Sequence, residues 1–397
     1  MSATQEPPCT EQLSAHVESN RPLRRRAFVA STVAAALVPW AEAQVPGPQS
    51  AVLRLGQSLP LTGPHSVEGV AFRTAAIAAF DELSRQDANA PHVQLISLDD
   101  GGQSERTAVN VKLLASEHRV HACFGFVGNG ADRVGARASA LEELPYIAPA
   151  SGSVELRTAR SARTFSFRAS HADEIRYIVK HVETIGLTKL ALVYEYNFVG
   201  WELRDTVLEL IESTMRNEVA LSSIDQVGSG FSVPGAVESI LAKQPQAIIL
   251  GSNPVASASF VRAARSAGFK GYFYALSSVG TGLGSLLGPL VTGIAVTQVV
   301  PFALSNKTQV SAKHRAFCSR HGITPSSHTM EAWLGASLFF ESVRRLRIRT
   351  PSAISEALSS APPFDFGNYT AQWHESRPIP KPYVSLSLYD RFGRMID

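Results

Sequence analysis

Stretches with the two-residue repeat of β-strands alternate with helical stretches along almost the whole chain after residue 51. The strand-like segment 52–58 is followed by the helical segment 70–83, in which Phe72, Ala76 and Phe80 share one face. Strands separated by helices form parallel sheets with helices on both faces. More than ten strands are predicted, too many for one compact open sheet, so the pattern predicts an α/β protein with two lobes.

The remaining elements follow from the same two repeats. Further strands are predicted at 93–98, 121–126, 146–148, 190–194, 219–224, 247–250, 272–275, 294–300, 369–373 and 383–389. Further helices are predicted at 104–117, 133–143, 174–185, 202–215, 258–267, 312–320, 331–346 and 353–359. Ser170 and Asp173 have the spacing of a capping box before the third of these helices. Ligands bind where parallel strands end, so two lobes that face each other there form a cleft.

The N-terminal segment has the three parts of an export signal in the expected order. Three consecutive arginines at 24–26 precede an apolar run at 27–38, and an A-x-A cleavage motif follows at 41–43. The run is shorter than the ~20 residues that span a bilayer. The arginines favour the twin-arginine route, with the Sec route as the alternative. Residues 1–43 are therefore expected to be removed on export to the periplasm.

Composition and charge indicate a soluble globular chain. Hydrophobic residues make up 45% of the sequence and charged residues 18%, which suits a large core. The net charge of +3 gives no reason to expect a nucleic acid or an anionic membrane surface as a partner. Cys9 lies in the signal segment, and the patterns around Cys123 and Cys318 favour buried free thiols over a disulfide.

Motifs of known chemistry are missing. The sequence contains no Walker A, GxGxxG, HExxH or GxSxG motif, so no enzyme activity, cofactor or metal site is predicted. The GTGLG run at 280–284 lacks the spacing of a cofactor loop and is expected to form a flexible strand-to-helix loop. Asp99 and Asp100 precede two glycines and are expected in a turn. His314 and His321 are expected on a solvated helix face rather than as metal ligands.

A series of short motifs resembles type I periplasmic binding proteins, in particular the branched-chain amino acid (leucine-type) receptors of ABC importers. In order, these motifs are LGQSLPLTGP at 55–64, DDG at 99–101 with Ala108 and Asn110, FGFVG at 124–128, PASGS at 149–153, and FRAS at 167–170 with Asp173 and Glu174. The resemblance extends from about residue 52 to the C-terminus. It implies two Rossmann-like lobes with parallel sheets, joined by a hinge of three crossings near Ala169, near Val300 and between Trp373 and Tyr383.

The resemblance also implies an arrangement of domains and a function. Residues 51–169 and 300–374 would form the N-terminal lobe, and residues 170–299 and 382–397 the C-terminal lobe. The protein would bind a small molecule between the lobes, as a monomer without a cofactor, and deliver it to separate ABC permease and ATPase subunits at the inner membrane. The alternative is a periplasmic sensor that presents the bound solute to a membrane signalling protein, because one fold serves both roles.

The resemblance implies that the first lobe grips a ligand carboxylate. The positions that match the family pattern are Asn129, Ala150, Ser151, Gly152 and Ser153. Backbone amides at the start of a helix favour an anion, and small residues allow a ligand to approach them. The alternative is that Ser151 and Ser153 only cap the following turn.

The second lobe departs from the family pattern. The matching positions are Tyr196, Val199, Asn253 and Ser277, and none of them is the acid that pairs with the ammonium group in amino acid receptors. Glu68 is a candidate substitute, or else a solvated carboxylate at a helix start. A buried ammonium without an acid is costly. The expected ligand is therefore a small polar compound or a carboxylate, either an amino acid or a related organic acid.

The signal segment generates a first prediction. Protein recovered from the periplasm is expected to begin near Gln44, because cleavage follows the A-x-A motif. N-terminal sequencing would detect this, and an intact Met1 in periplasmic protein would contradict it. Replacing Arg25 and Arg26 with Lys is expected to block export, whereas unchanged export would indicate the Sec route.

Overall fold

The computed structural model describes residues 52–63, 65–87, 90–214, 218–227 and 230–397. The predicted export signal at 1–43 lies outside these residues. Residues 48–397 form one compact unit. Within the described ranges, no helix combines the length and the apolar character that crossing a membrane requires.

Strands and helices alternate through most of the described chain. The strands are β1 Leu53–Leu59, β2 Val93–Asp99, β3 Ala122–Phe124, β4 Tyr146–Ile147, β5 Thr164–Ser166, β6 Lys189–Glu195, β7 Glu218–Val227, β8 Gly230–Ser232, β9 Ala247–Gly251, β10 Tyr272–Ala275, β11 Ala295–Gln298, β12 Phe364–Asp365, β13 Thr370–Ala371, β14 His374–Glu375, β15 Ser385–Tyr389 and β16 Met395–Ile396.

The helices connect these strands. They are α1 Ser66–Gln86, α2 Ser104–Ser116, α3 Asn129–Leu141, α4 His171–Thr184, α5 Phe198–Thr214, α6 Pro234–Leu241, α7 Pro254–Ser266, α8 Ser277–Leu287, α9 Gln309–His321, α10 Ser327–Val343 and α11 Pro351–Ser360. Two short 3-10 turns lie at Glu155–Arg157 and Gly288–Val291. This alternation confirms the predicted α/β class.

The first sheet has the strand order β14-β5-β4-β3-β1-β2, and all its pairs are parallel except β14 with β5. Helices α1 and α10 pack against each other on this sheet, because their apolar faces meet around Phe80, Phe124 and Phe339. The ring of Phe80 lies 5.2 Å from that of Phe124 and 6.0 Å from that of Phe339, measured between centroids. Each buried ring contributes about 1.5–3 kcal/mol to stability.

The second sheet has the strand order β16-β15-β11-β10-β9-β6-β7-β8. Its central strands are parallel and bury residues on both faces, while β15, β16 and β8 add antiparallel edges. The central strand β9, AIILG, is buried along its whole length, as expected for a strand covered by helices on both sides. The core of this sheet is separate from that of the first sheet.

The chain passes between the two sheets three times. It leaves the first sheet after β5 and enters the second through α4, whose Ile175 and Ile178 pack in the second core. It returns after β11, so that α9, α10 and α11 cover the first sheet. It crosses again between β14 and β15. The first two crossings begin at the carboxyl ends of β5, in the first sheet, and β11, in the second.

Two predictions that rested on the local sequence are confirmed by the structure. Ser170 and Asp173 form the predicted capping box at the start of α4. Cys123 and Cys318 are buried and free, as predicted. Strand β5 and helix α6 were missed, because neither carries a clear periodic pattern of its own.

Two sequence expectations are wrong. The GTGLG run lies inside α8 rather than in a loop, because its glycines permit close packing: a Cβ on Gly280 would lie 2.0 Å from the side chain of Val296. His314 is fully buried instead of solvated, since its side of α9 faces the apolar core, where its ring lies 5.7 Å from that of Trp333. Burial lowers the pKa of His314 to about 4. His321, on the same helix, is half-buried and pairs with Glu82 at 2.6 Å.

A matched pair of glycine substitutions tests the packing after β3. Gly125 has φ +64° and its added Cβ would lie 2.3 Å from the Phe72 ring, whereas Gly186 has φ +78° and no described heavy atom within 4 Å. Gly186→Ala is expected to cost about 1–2 kcal/mol for the left-handed backbone alone. Gly125→Ala is expected to cost ~1–3 kcal/mol more, because Phe72 must move. Urea denaturation measures both, and equal losses would contradict the packing argument.

Candidate functional site

A cavity of about 420 Å³ lies where the carboxyl ends of the two sheets face each other. Its walls come from the residues that follow successive strands: Pro60 after β1, Gly102 after β2, Val127 and Gly128 after β3, Ala150 after β4, Arg168 after β5, Asn197 to Val199 after β6, Ser252 to Pro254 after β9, Leu276 to Val279 after β10, and Val299 and Val300 after β11. Helix α10 contributes Ser327, His328 and Glu331. The cavity therefore lies at the position where parallel sheets bind ligands.

Five of the predicted site residues line this cavity. They are Glu68, Ala150, Val199, Asn253 and Ser277. The backbone of Asn129 begins α3 between Gly128 and Gly130, which also line the cavity. Tyr196 is 67% exposed and packs against Trp201 outside the cavity, because the loop after β6 turns it towards solvent. Positions that match the family pattern therefore lie in the cavity wall on both sheets, and their contact with a ligand stays a prediction.

The predicted anion-binding turn at Ser151, Gly152 and Ser153 lies behind the cavity wall. All three residues are buried and none lines the cavity. Gly152 packs against His171, so closely that an added Cβ would lie 2.2 Å from the His171 ring. The reason is that the polypeptide turns inward after Ala150 to meet the start of α4.

A carboxylate from the opposite sheet occupies this turn. Glu202, on α5, accepts hydrogen bonds from the Ser153 hydroxyl at 3.0 Å and from the backbone amides of Val154 and Glu155 at 3.3 and 3.2 Å. The amides and the hydroxyl of the turn therefore bind an anion, but this anion is the Glu202 carboxylate of the same chain. Burial raises the pKa of Glu202, although the hydrogen bonds from Glu155, Ser153 and Val154 act in the opposite direction.

A second contact joins α5 to the first-sheet side of the cavity, this time through α3. The guanidinium of Arg133, on α3, lies over the ring of Phe198, on α5, with its central carbon 3.3 Å from the ring centroid. Arg133 also pairs with Glu155 at 2.5 Å. The Glu202 and Phe198 contacts together hold α5 against the first-sheet side of the cavity.

The floor of the cavity is a buried ion network at the first crossing. Arg168 lies 3.4 Å from both carboxylate oxygens of Glu331, on α10, and 3.7 Å from Glu174, on α4. All three side chains are buried. Burial raises the pKa of Glu174 and of Glu331, and Arg168 opposes this effect in each case. One guanidinium thus connects a helix of the first sheet with a helix of the second.

Ser277 belongs to this network rather than to an open second-sheet wall. Its backbone amide donates to Glu174 at 2.7 Å, and its hydroxyl donates to Glu174 at 3.1 Å. Arg168 donates to the same hydroxyl at 3.1 Å. Thr297 adds a further hydrogen bond to Glu174. The polar groups of Ser277 are therefore already engaged.

Asn253 is engaged in a similar way on the same wall. Its side-chain oxygen caps α7 by accepting from the amides of Val255 and Ala256, and its amide groups donate to the carboxylate of Glu195. Asn197 donates to the other oxygen of Glu195 at 2.6 Å. Glu195 lines the cavity but its oxygens have partners.

Three lining side chains retain free hydrogen-bonding atoms. Among the residues that the structure describes, Oε2 of Glu68, Nε of Arg168 and both ring nitrogens of His171 are shielded from solvent and have no partner. Burial lowers the pKa of His171 to about 3, and Arg168 and Arg157 add to this effect. His171 is therefore neutral at physiological pH and offers one donor and one acceptor.

Sequence reasoning missed Arg168, His171, Glu195, Glu202, His328 and Glu331. Arg168 lies in the FRAS motif and His171 follows it, so the motif was the one available signal for both. Glu202 and Glu331 lie on helices with no local sign of their partners. Within the described ranges, no cluster of His, Cys, Asp and Glu is suited to hold a metal ion. The cavity is equipped with donors, acceptors and paired charges, an arrangement suited to binding a small polar molecule.

Comparison with known proteins adds the family context. A family model described as a periplasmic binding protein matches residues 52–377. The structure is similar to the substrate-binding periplasmic protein of Ralstonia solanacearum, with 25% identity and a TM-score of 0.76 over 87% of this chain and 99% of that one. No curated protein sequence matches the chain.

Two more distant structures share the fold. One is a possible leucine/isoleucine/valine-binding protein from Rhodopirellula baltica, with 23% identity and a TM-score of 0.75 over 88% of this chain and 97% of that one. The other is a branched-chain amino acid transporter substrate binding protein from Streptococcus pneumoniae in complex with isoleucine, with 14% identity and a TM-score of 0.73 over 87% and 97%. At these identities the likeness establishes the fold alone.

The Glu202 contact predicts a shift in the balance between open and closed forms. In the wild type, each carboxylate oxygen of Glu202 accepts a hydrogen bond from one backbone amide. In Glu202→Gln one oxygen is replaced by an NH₂ group. In either orientation of the side chain, this group faces a backbone N–H and cannot accept from it. The variant is expected to separate the two sides of the cavity mouth and to increase the radius of gyration in small-angle scattering. Glu209→Gln, an exposed position on the same helix, is the control. Equal radii for both variants and wild type would contradict this role.

Proposed function

The chain belongs to the periplasmic binding protein family, as its motifs predicted, and on that premise we propose that it is the solute-binding receptor of an ABC importer. The family consists of small-molecule receptors of the periplasm and is not a class of enzymes. The solute we propose is a small polar or carboxylate compound, either an amino acid or a related organic acid. The bound leucine-type ligand of the Streptococcus relative supports this range.

The cavity between the two sheets carries the proposal. It is walled by the strand ends of both sheets, so a molecule in it contacts both and stabilises the form in which they are close together. A cavity of about 420 Å³ suits a solute of the size of an amino acid. We assign residues 51–169 and 300–374 to one lobe and residues 170–299 and 382–397 to the other, with closure about the three crossings.

The ligand contacts that we propose follow from the free atoms of the lining. Nε of Arg168 and the donor nitrogen of His171 favour an acceptor on the solute, and Oε2 of Glu68 favours a donor. Ala150 and Val199 supply apolar wall on opposite sides. Ser277 and Asn253 act mainly by holding Glu174 and Glu195 in place. The predicted contact through Asn129 remains part of the proposal.

The cellular setting is also part of the proposal. Export with removal of residues 1–43 would place a monomeric receptor in the periplasm. Its partners there would be separate permease and ATPase subunits at the inner membrane, which receive the solute when the lobes reopen.

A thermal-shift screen of amino acids and small carboxylates tests the proposed function. A true ligand at a hundred times its dissociation constant is expected to add ~2.7 kcal/mol of stability. Ala150→Leu, which extends a side chain into the cavity, is expected to abolish the shift, while Ala140→Leu, on the exposed face of α3, is expected to retain it. Absence of a shift across the screen, or equal binding by both variants, would contradict the proposal.

A further inference from the structure

Among the described residues that line the cavity, each guanidinium has a carboxylate partner, whereas two acids, Glu68 and Glu195, have no basic partner. At the mouth, Arg133 and Arg137 pair with Glu155 at 2.5 and 2.6 Å, and Arg133 also attracts the nearby Glu202. On the floor, Arg168 faces Glu174 and Glu331. Neither cluster has an excess of positive charge. Neither of the two arginines in the described cavity lining, Arg133 and Arg168, therefore offers an incoming anion a guanidinium without a carboxylate beside it.

Of these two acids, Glu68 is the one with an oxygen that has no hydrogen-bond partner. It lies in the first turn of α1 and lines the cavity, and its Oε2 is shielded from solvent without a hydrogen-bond partner in the described part of the chain. The helix dipole stabilises an acid in the first turn of a helix. This effect also acts on solvent-exposed acids, so it does not explain why Oε2 of Glu68 is shielded. A carboxylate oxygen held out of water needs a donor, since leaving it without one is destabilising.

The neighbours of Glu68 do not neutralise it. His328, on α10, lies near enough to feel its charge, yet burial lowers the pKa of His328 to about 4 and Arg168 adds to this effect, against the attraction of Glu68. His328 is therefore uncharged at neutral pH. Glu195 adds a second negative charge to the cavity, because its partners are the amides of Asn253 and Asn197 rather than a base.

We infer that the solute carries a positively charged nitrogen, an ammonium or amidinium group, that is bound by Glu68 in the first lobe. This rests on the proposed function and narrows its ligand range to cationic and zwitterionic compounds. The orientation is opposite to the one implied by the sequence motifs, which placed an anionic group in the first lobe. The unpaired acid is on α1, while the anion-binding turn at 153–155 is already filled by Glu202. Glu68 thereby becomes the residue that determines the charge of the solute.

Matched probes separate charge from shape. Each carbon frame is supplied as amine, carboxylate, carboxamide and α-amino acid. The four-carbon set is butylamine, butyrate, butanamide and 2-aminobutyrate, and the six-carbon set is 4-methylpentylamine, 4-methylpentanoate, 4-methylpentanamide and leucine. Binding to the full-length mature protein is measured by thermal shift and calorimetry at pH 8, where histidine side chains are largely uncharged. Amines and amino acids are expected to bind, and the carboxylates and carboxamides to bind at least about tenfold more weakly.

Three variants assign the effect to Glu68. Glu68→Gln keeps the shape of the side chain and removes its charge. It is therefore expected to weaken the binding of the amines and amino acids by about tenfold or more. Glu68→Asp keeps the charge and is expected to retain part of the preference. Glu105→Gln, an exposed acid in the first turn of α2, is the control and is expected to behave as wild type.

The possible failures are distinct. Carboxylates that bind as tightly as the amino acids, to wild type and Glu68→Gln alike, would overturn the inference and leave the receptor function intact. Amines that bind Glu68→Gln as tightly as wild type would show that Glu68 is not the recognising residue. A panel in which no compound binds would contradict the proposed function, and the inference would fall with it.

Discussion

The buried network around Arg168 is the interaction on which the arrangement of the two lobes depends. Its guanidinium lies at the first crossing, between Glu331 on a first-lobe helix and Glu174 on a second-lobe helix. Removing one partner of such a buried network leaves an uncompensated charge, which typically costs about 3–5 kcal/mol. The network therefore ties the floor of the cavity to a defined relative position of α4 and α10.

The same network explains why the second wall offers little to a ligand. Ser277 gives its amide and its hydroxyl to Glu174, and Thr297 adds a third donor, so the charge of Glu174 is held by the protein itself. Glu195 is held by Asn253 and Asn197 in the same manner. Buried carboxylates require such partners, since an isolated buried charge is far too costly. The polar groups that remain free are on the side of α1, the first crossing and the start of α4.

Contacts across the mouth complement the floor. Glu202 of α5 fills the amide turn after Ser153, and Arg133 of α3 covers Phe198. The Glu202 contact involves desolvation, because burial raises the pKa of the Glu202 carboxyl group. A contact of this kind is sensitive to small displacements, because its hydrogen bonds lose strength steeply with distance and angle.

The sequence alone determined the features that are encoded locally. The alternation of two- and 3.6-residue repeats predicted the α/β class, and the Ser170–Asp173 spacing predicted a cap. Such features depend on residues within one or two turns of each other. The family resemblance pointed to Ala150, Val199, Asn253 and Ser277, which line the cavity. The tertiary structure alone decided which polar groups form hydrogen bonds within the protein and which remain free for a ligand. Arg168 and Glu331 are 163 residues apart, and Ser153 and Glu202 are 49 apart, so no local pattern relates them. The GTGLG run shows the same limit, because Gly280 permits the close approach of Val296, a residue of β11 that follows it 16 positions later.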